Sequence, residues 1–298
     1  MRCETMIEQL DEFRAGELGR PEHDAVAAHI ADCPDCVAAL AQIERVAALA
    51  PQLRIDAPAD LVANVLAHVG DQYGSVETVV GPAWVAFNRR GITMVYLGAD
   101  DATTFTSAYA RRLGRQARQN EVPARYVQAV QQAAQGKVPA RVPIDISGLP
   151  PFEQAVLLSL PRIPRGEVRP YAWLAREAGR PKAVRATGNA LARNPVPLLL
   201  PCHRVVPTSG GVGNYAFGST MKRGLLEREG VPTDELDTLA RQGVRYIGCT
   251  STHIYCLPTC HDARRVQPAN RVPLANDGAA AAAGYRPCKH CKPALIAG

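Results

Sequence analysis

No stretch of this chain reaches the ~18 uninterrupted apolar residues that a membrane-spanning helix needs, so no membrane partner is expected. The opening Met1-Arg2-Cys3-Glu4 is polar and soon acidic and lacks the apolar core of a secretory signal, which leaves the cytoplasm as the expected compartment. An even cysteine framework is absent too. Nine cysteines in a chain without an export signal argue against disulfides and for metal ligands or nucleophiles. Charge of one sign is scarce in places: residues 1–55 hold five basic against ten acidic residues, and residues 241–298 hold two acidic against eight basic. The head is therefore a poor partner for a polyanion, whereas the middle and tail suit one.

What is present is globular. With 47% hydrophobic and 21% charged residues over 298 positions, the chain has core enough for about two domains and is not disordered at large. Residues 4–15 and 22–48 read as helices, with Val26, Ile30, Val37, Leu40, Ile43 and Val46 at helical spacing. A connector at 48–59 and a short apolar helix at 61–69 place a boundary near 55–75. Alternating apolar runs from 77 to 97, split by Gly-Pro and Arg-Arg-Gly turns, predict a small antiparallel meander. Helices are predicted at 102–118, 123–135, 152–160, 172–178 and 182–193, and the Ala279–Ala283 run reads as one more. The expected fold class is multidomain α+β in three parts: a helical head at 1–55, a mixed unit at 76–232 and a small cysteine-rich α/β unit at 242–298.

The run Leu198-Leu199-Leu200-Pro201-Cys202-His203-Arg204-Val205-Val206 sets a cysteine and a histidine at the end of what reads as a buried strand. A lone cysteine there is ordinarily a core residue, but its surroundings point elsewhere. Residues 172–178, a Gly-Arg-Pro turn and 182–194 read as a helix-turn-helix whose second helix carries Lys182, Arg185 and Arg193 and no acid, which suits a phosphate-lined groove. Its small residues Ala186, Gly188 and Ala190 permit close backbone approach, to a groove or to another helix.

Pro201-Cys202-His203-Arg204-Val205, with Ile163-Pro164-Arg165-Gly166, Tyr171-Ala172-Trp173-Leu174-Ala175, Arg185-Ala186-Thr187-Gly188-Asn189-Ala190, Asn194-Pro195-Val196-Pro197, Gly213-Asn214-Tyr215 and Leu225-Leu226-Glu227-Arg228-Glu229-Gly230, resembles the O6-alkylguanine-DNA alkyltransferases over roughly 76–232. The resemblance implies a small antiparallel sheet beside a helix-turn-helix subdomain, and double-stranded DNA containing O6-alkylguanine as partner. It implies that the damaged base leaves the stack, with Arg185 filling the space, Tyr171 helping to rotate the 3′ phosphate, and Lys182, Ala186, Gly188 and Arg193 on the DNA side. Cys202 would accept the alkyl group, His203 and Glu229 would form a relay to it through a water, Asn194 would order the neighbouring turn, and Tyr215 and the Val205 carbonyl would lie in the guanine pocket. A free thiol has a pKa of roughly 8.5, so something must help ionise it. Ala216 departs from the family pattern beside the pocket tyrosine, which bears on the size of alkyl group accepted.

Cys256-x3-Cys260 and Cys288-x2-Cys291 have the spacing of a four-thiolate zinc site. Together with Thr252-His253-Ile254-Tyr255 and Ala283-Gly284-Tyr285-Arg286-Pro287, they resemble the Ada-type methylphosphotriester zinc domain over 244–293. There the first cysteine both binds zinc and accepts a methyl, a role that would fall to Cys256. Leu257 and His253 depart from that pattern, and a zinc unit that only steadies the fold or grips DNA is the other use of such a site. Ada proteins place this unit before the guanine-repair unit and follow it with an AraC-type helix-turn-helix. Here the order is reversed, and the activator function has no expected seat. Cys249 reads as a buried strand residue.

At the head, His29-x3-Cys33-x2-Cys36 puts three donors on one helix face, with Cys3 as a fourth. This resembles an anti-sigma-factor zinc finger over 3–40, implying a sigma factor as partner; a zinc-stapled helical hairpin without such a partner fits the same residues. The expected protein is a cytoplasmic, nucleoid-associated repair enzyme with two zinc ions and no organic cofactor, transferring alkyl groups irreversibly to Cys202. The competing expectation is an alkylation- or redox-responsive regulator acting on a sigma factor.

Overall fold

The computed structural model describes residues 3–49, 70–99 and 101–293, so the connector and the helix expected at 61–69 lie outside the described residues. The chain separates into two compact units, residues 1–64 and 65–298. In the first unit both expected helices are broken in two: α1 (Cys3–Ile7) and α2 (Leu10–Ala15), then α3 (Arg20–Asp32) and α4 (Pro34–Leu49). Pro34 has no N–H to continue α3 and forces Cys33 into extended backbone, so α3 and α4 bend by 112°. Met6, Leu10, Val26 and Cys36 make its small core. No single helix among the described residues is long and apolar enough to cross a membrane, although the bent pair α3 and α4 passes that test together on length and composition.

The second unit opens with β1 (Asp71–Val76), β2 (Ala83–Asn88) and β3 (Gly91–Leu97), an antiparallel meander joined at its β1 edge by the parallel β4 (Ala117–Gln119). The meander begins six residues before the expected start. Asp71-Gln72-Tyr73-Gly74-Ser75-Val76 is too polar to read as a strand, and Val79 forms only an isolated bridge. Side chains alternate across the sheet: Tyr73, Ala86 and Met94 pack on α5 (Ala102–Leu113), and Val76, Val85, Phe87 and Val95 share the larger core with α6 (Ala124–Ala134). The helix expected to reach 118 stops at Gly114, whose φ of 67° is the left-handed cap that glycine adopts freely.

The helical part follows: α7 (Pro151–Ser159), α8 (Tyr171–Glu177), α9 (Val184–Ala192), α10 (Ser219–Arg228) and α11 (Thr233–Arg241), with β5 (Arg169–Pro170) and β6 (Val205–Val206) paired in parallel. Residues 242–293 form a sheet of order β10-β8-β7-β9 from β7 (Tyr246–Cys249), β8 (Ile254–Cys256), β9 (Arg271–Leu274) and β10 (Arg286–Pro287), with α12 (His261–Arg264) and α13 (Asp277–Ala282). Cys249 ends β7 and is buried, and the alanine run is α13, as its pattern predicts. The chain is thus an α+β protein with a helical head.

Candidate active site and metal centres

Cys202 does not end a strand. Pro197 and Pro201 deny the ladder two donors, Leu198 takes a left-handed φ of 71°, and Cys202–Arg204 forms a 3-10 turn ahead of β6. The turn presents the Cys202 sulfur to a cavity of about 220 Å³ whose lining includes Tyr171, Gly188, Asn214, Tyr215, Ala216 and Lys222. Asn194 Nδ2 donates to the sulfur at 3.1 Å, and the Tyr215 hydroxyl lies 3.7 Å from it. Asn194 also donates to the Leu200 carbonyl and accepts from Val196 N, which ties the turn together.

Burial pushes the Cys202 thiol up from its ordinary value, opposed by the hydrogen bonds from Asn194 and Tyr215 and by the charge of Lys222. Burial likewise pushes the Tyr215 phenol well up. Ionising the sulfur therefore calls for a base, and the adjacent His203 is a residue with that chemistry. His203 Nε2 lies 2.9 Å from Glu229 Oε1, both side chains being buried. Burial alone would raise Glu229, but hydrogen bonds from His203 and Arg204 outweigh it and hold the carboxyl at about 2. An ionised carboxylate only accepts, so Nε2 carries the proton and Nδ1 is the basic nitrogen. Nδ1 is buried with no hydrogen-bond partner among the described residues. Burial pushes His203 below its ordinary value, against the pull of Glu229, so the imidazole is neutral at pH 7 and able to take a proton.

Two contributors are not evident from sequence. Arg204 clamps Glu229 with Nε and Nη2, each at 2.8 Å, and donates from Nη1 to the Ile163 carbonyl. Lys222 is 1% exposed and donates to the carbonyls of Val205 and Asn214; burial lowers it to about 8. Its signal is a lysine three and four residues before the buried Leu225 and Leu226, on the apolar face of α10. Lys222 also engages the Val205 carbonyl that was expected to face guanine.

On the helix pair, Lys182, Arg185 and Ala186 are exposed, and Gly188 faces Tyr171 at the cavity mouth. Two expected groove residues point elsewhere: Ala190 is in the core, and the Arg193 guanidinium pairs at 2.5 Å with the buried Glu153, which also holds Arg112.

The thiols of Cys256, Cys260, Cys288 and Cys291 are buried, and their sulfurs lie within 4.8 Å of one another. Tetrahedral zinc at ~2.3 Å from each sulfur would set them ~3.8 Å apart, so the donor set fits. In the head, the donor atoms of Cys3, His29, Cys33 and Cys36 also lie within 4.8 Å of one another, Cys3 Sγ being 3.7 Å from His29 Nε2 and 3.6 Å from Cys33 Sγ. Both are zinc-type donor sets.

Three stretches of the chain match known families. Residues 151–231 match the family model described as 6-O-methylguanine DNA methyltransferase, DNA binding domain; residues 237–294 match the metal binding domain of Ada; residues 3–36 match a putative zinc-finger. The constitutive methylated-DNA–protein-cysteine methyltransferase of Bacillus subtilis is 34% identical over 157 residues, 52% of this chain and 92% of that protein. The chain belongs to this methyltransferase family. The bifunctional transcriptional activator/DNA repair enzyme Ada of Escherichia coli is 33% identical over 184 residues, 59% of this chain and 51% of its own length. The chain spans about half the length, or less, of the first curated relatives it matches. A crystal structure of Mycobacterium tuberculosis OGT in complex with DNA is 29% identical, covering 55% of this chain and 98% of that one, with a TM-score of 0.44.

Proposed function

We propose that this protein repairs duplex DNA by moving the alkyl group of an O6-alkylguanine onto Cys202, once per molecule. The observation that carries the reading is the Cys202 sulfur in a cavity beside a basic helix, preceding a neutral, carboxylate-oriented His203. The base must leave the stack to reach that cavity. Arg185 on the exposed face of α9 fills its place, and Tyr171, at the start of α8, turns the backbone. His203 Nδ1 takes the thiol proton through a water. The sulfur then attacks the alkyl carbon; the S–C bond forms, the C–O6 bond breaks, and its electron pair goes to guanine, which takes a proton from the Tyr215 hydroxyl while the proton held on His203 returns to the tyrosine by way of water, so the thiol hydrogen ends on the base. The product thioether is uncharged and has no route back to the thiol, so each chain reacts once.

Around this core we read three parts, 1–55, 76–232 and 242–298, with two zinc ions and no organic cofactor, acting in the cytoplasm at the nucleoid. Zinc on four thiolates carries a site charge of −2, which makes the sulfurs nucleophilic. Methyl transfer from a phosphotriester to Cys256 would leave −1 and weaken repulsion from DNA. Leu257, in place of a basic residue, packs into the core of this unit and offers phosphate nothing, which favours a zinc unit that steadies the fold. For the head, the zinc-type donor set supports a metal-stapled helical hairpin. Nothing in its residues singles out a sigma factor, so the regulatory reading gains no support.

The test is direct. A duplex with labelled O6-methylguanine should pass its label to the wild-type chain, and Cys202→Ala should bind the lesion without taking the label. Transfer by Cys202→Ala would overturn the reading.

A further inference from the structure

The two cysteine pairs of the tail grip the two ends of one short segment of the alkyltransferase part. At its start, Thr259, between Cys256 and Cys260 and fully buried, accepts from the Val168 backbone N–H at 2.9 Å. The N–H of His261, next after Cys260, donates to Glu167 Oε1 at 3.0 Å, and this buried carboxylate also takes Arg169 Nη2 at 2.5 Å. At the segment's end, Arg176 in α8 donates from Nη2 to the Lys292 carbonyl at 2.7 Å, directly after Cys291. Lys292 holds a left-handed φ of 44°, uncommon for a residue with a side chain.

Between these grips lie β5 and Tyr171. Arg169 and Pro170 of β5 pair with Val205 and Val206, immediately after the Cys202–Arg204 turn. Tyr171 lines the Cys202 cavity. We propose that Thr259 is a positioning residue for alkyl transfer: with metal on the tail's four cysteines, the Cys256–Cys260 loop is rigid, and its Thr259 hydroxyl fixes the strand that mounts Tyr171 and the helix pair. The proposal rests on the reading of Cys202 as acceptor. Its physical basis is that Val168 N–H is buried, so loss of its acceptor leaves a polar group unsatisfied and raises local opening by about tenfold. Metal ligation reaches this contact along the backbone, since Thr259 is bonded to Cys260.

The experiment compares the full-length chain with Thr259→Val, which keeps the shape and removes the hydroxyl, and Thr259→Ser, which restores it. Each is read for bound zinc, for amide hydrogen exchange at 168–177, and for the single-turnover rate on an O6-methylguanine duplex. Thr259→Val should keep its zinc, exchange about tenfold faster in that segment and transfer about three- to tenfold more slowly. Thr259→Ser should return both to within about twofold. Wild-type exchange and rate in Thr259→Val, or a Thr259→Ser chain as impaired as Thr259→Val, would overturn the proposal. Should Thr259→Val fail to fold, zinc is stripped from a Cys33→Ser chain, whose head cluster is already broken. Exchange should then rise at 168–177 and not at 126–134; equal protection with and without metal overturns the proposal. A wild-type chain that transfers no alkyl group would refute the Cys202 reading, while the exchange data would still judge the clasp.

Discussion

Cys202 and Cys256 are both buried sulfurs, and the protein prepares them in opposite ways. Cys202 stands among the amide of Asn194, the phenol of Tyr215 and the more distant charge of Lys222, in a site where burial pushes the thiol up. Cys256 sits with three other thiols within 4.8 Å, and those of Cys260 and Cys291, with burial, push it up as well. On the proposed reading the first would be relieved by a neutral histidine that takes the proton, the second by a divalent cation that replaces it. One sulfur should therefore answer to proton chemistry and the other to metal chemistry.

The sharpest way to break this contrast is to remove the relay. Glu229→Gln should slow alkyl transfer to Cys202 by about 10²-fold in single-turnover kinetics, because the amide has no charge to favour the imidazolium and can turn its NH2 toward His203, while bound zinc stays unchanged. An equal loss of zinc would mean the two sites are one structural problem. Next, Arg185→Ala should lower the transfer rate by about tenfold while affinity for undamaged duplex changes little, as measured by titration at fixed salt.

Acid separates the two sites in another way. Glu229 is held at about 2, below the ~4.3 of an unfolded chain, so its contribution to stability is full above ~4.3 and is lost as pH falls toward 2. Wild type should lose thermal stability across that window, and Glu229→Gln should lose less; parallel curves would show that the carboxylate is not so held. Cys202 alkylation by iodoacetamide should keep rising with pH beyond the point where an ordinary thiol levels off, since burial pushes its thiol up, whereas zinc-bound Cys256 should show no such climb. The smallest effect is expected at Lys182. Its replacement by alanine should reduce the slope of log affinity against log salt by about one and leave lesion preference alone.

Much of the candidate site is legible in the sequence because short-range motifs carry it: Asn194 and Tyr215 stand beside the Cys202 sulfur, and Glu229 beside His203. The backbone beneath them is less legible. Leu198–Leu200 looks like a strand by composition, and it is the prolines at 197 and 201 that turn it. The first strand hides behind Asp71, Gln72 and Gly74; the last has room for hydrogen alone, a Cβ there meeting the Asn120 carbonyl oxygen at 2.6 Å. Long-range ion pairs were invisible for a plainer reason. Glu153 lies forty residues from Arg193, and Glu229 twenty-five from Arg204, so no local pattern announces that these cations are taken. The same holds for Thr259 and Val168, ninety-one residues apart.

The central claim is most directly tested by peptide mapping of the whole chain after one exposure to a duplex carrying O6-methylguanine. The account predicts that the peptide with Cys202 gains the mass of one CH2, in a one-to-one ratio with guanine restored in the DNA. Restored guanine alongside an unmodified Cys202 peptide would contradict it.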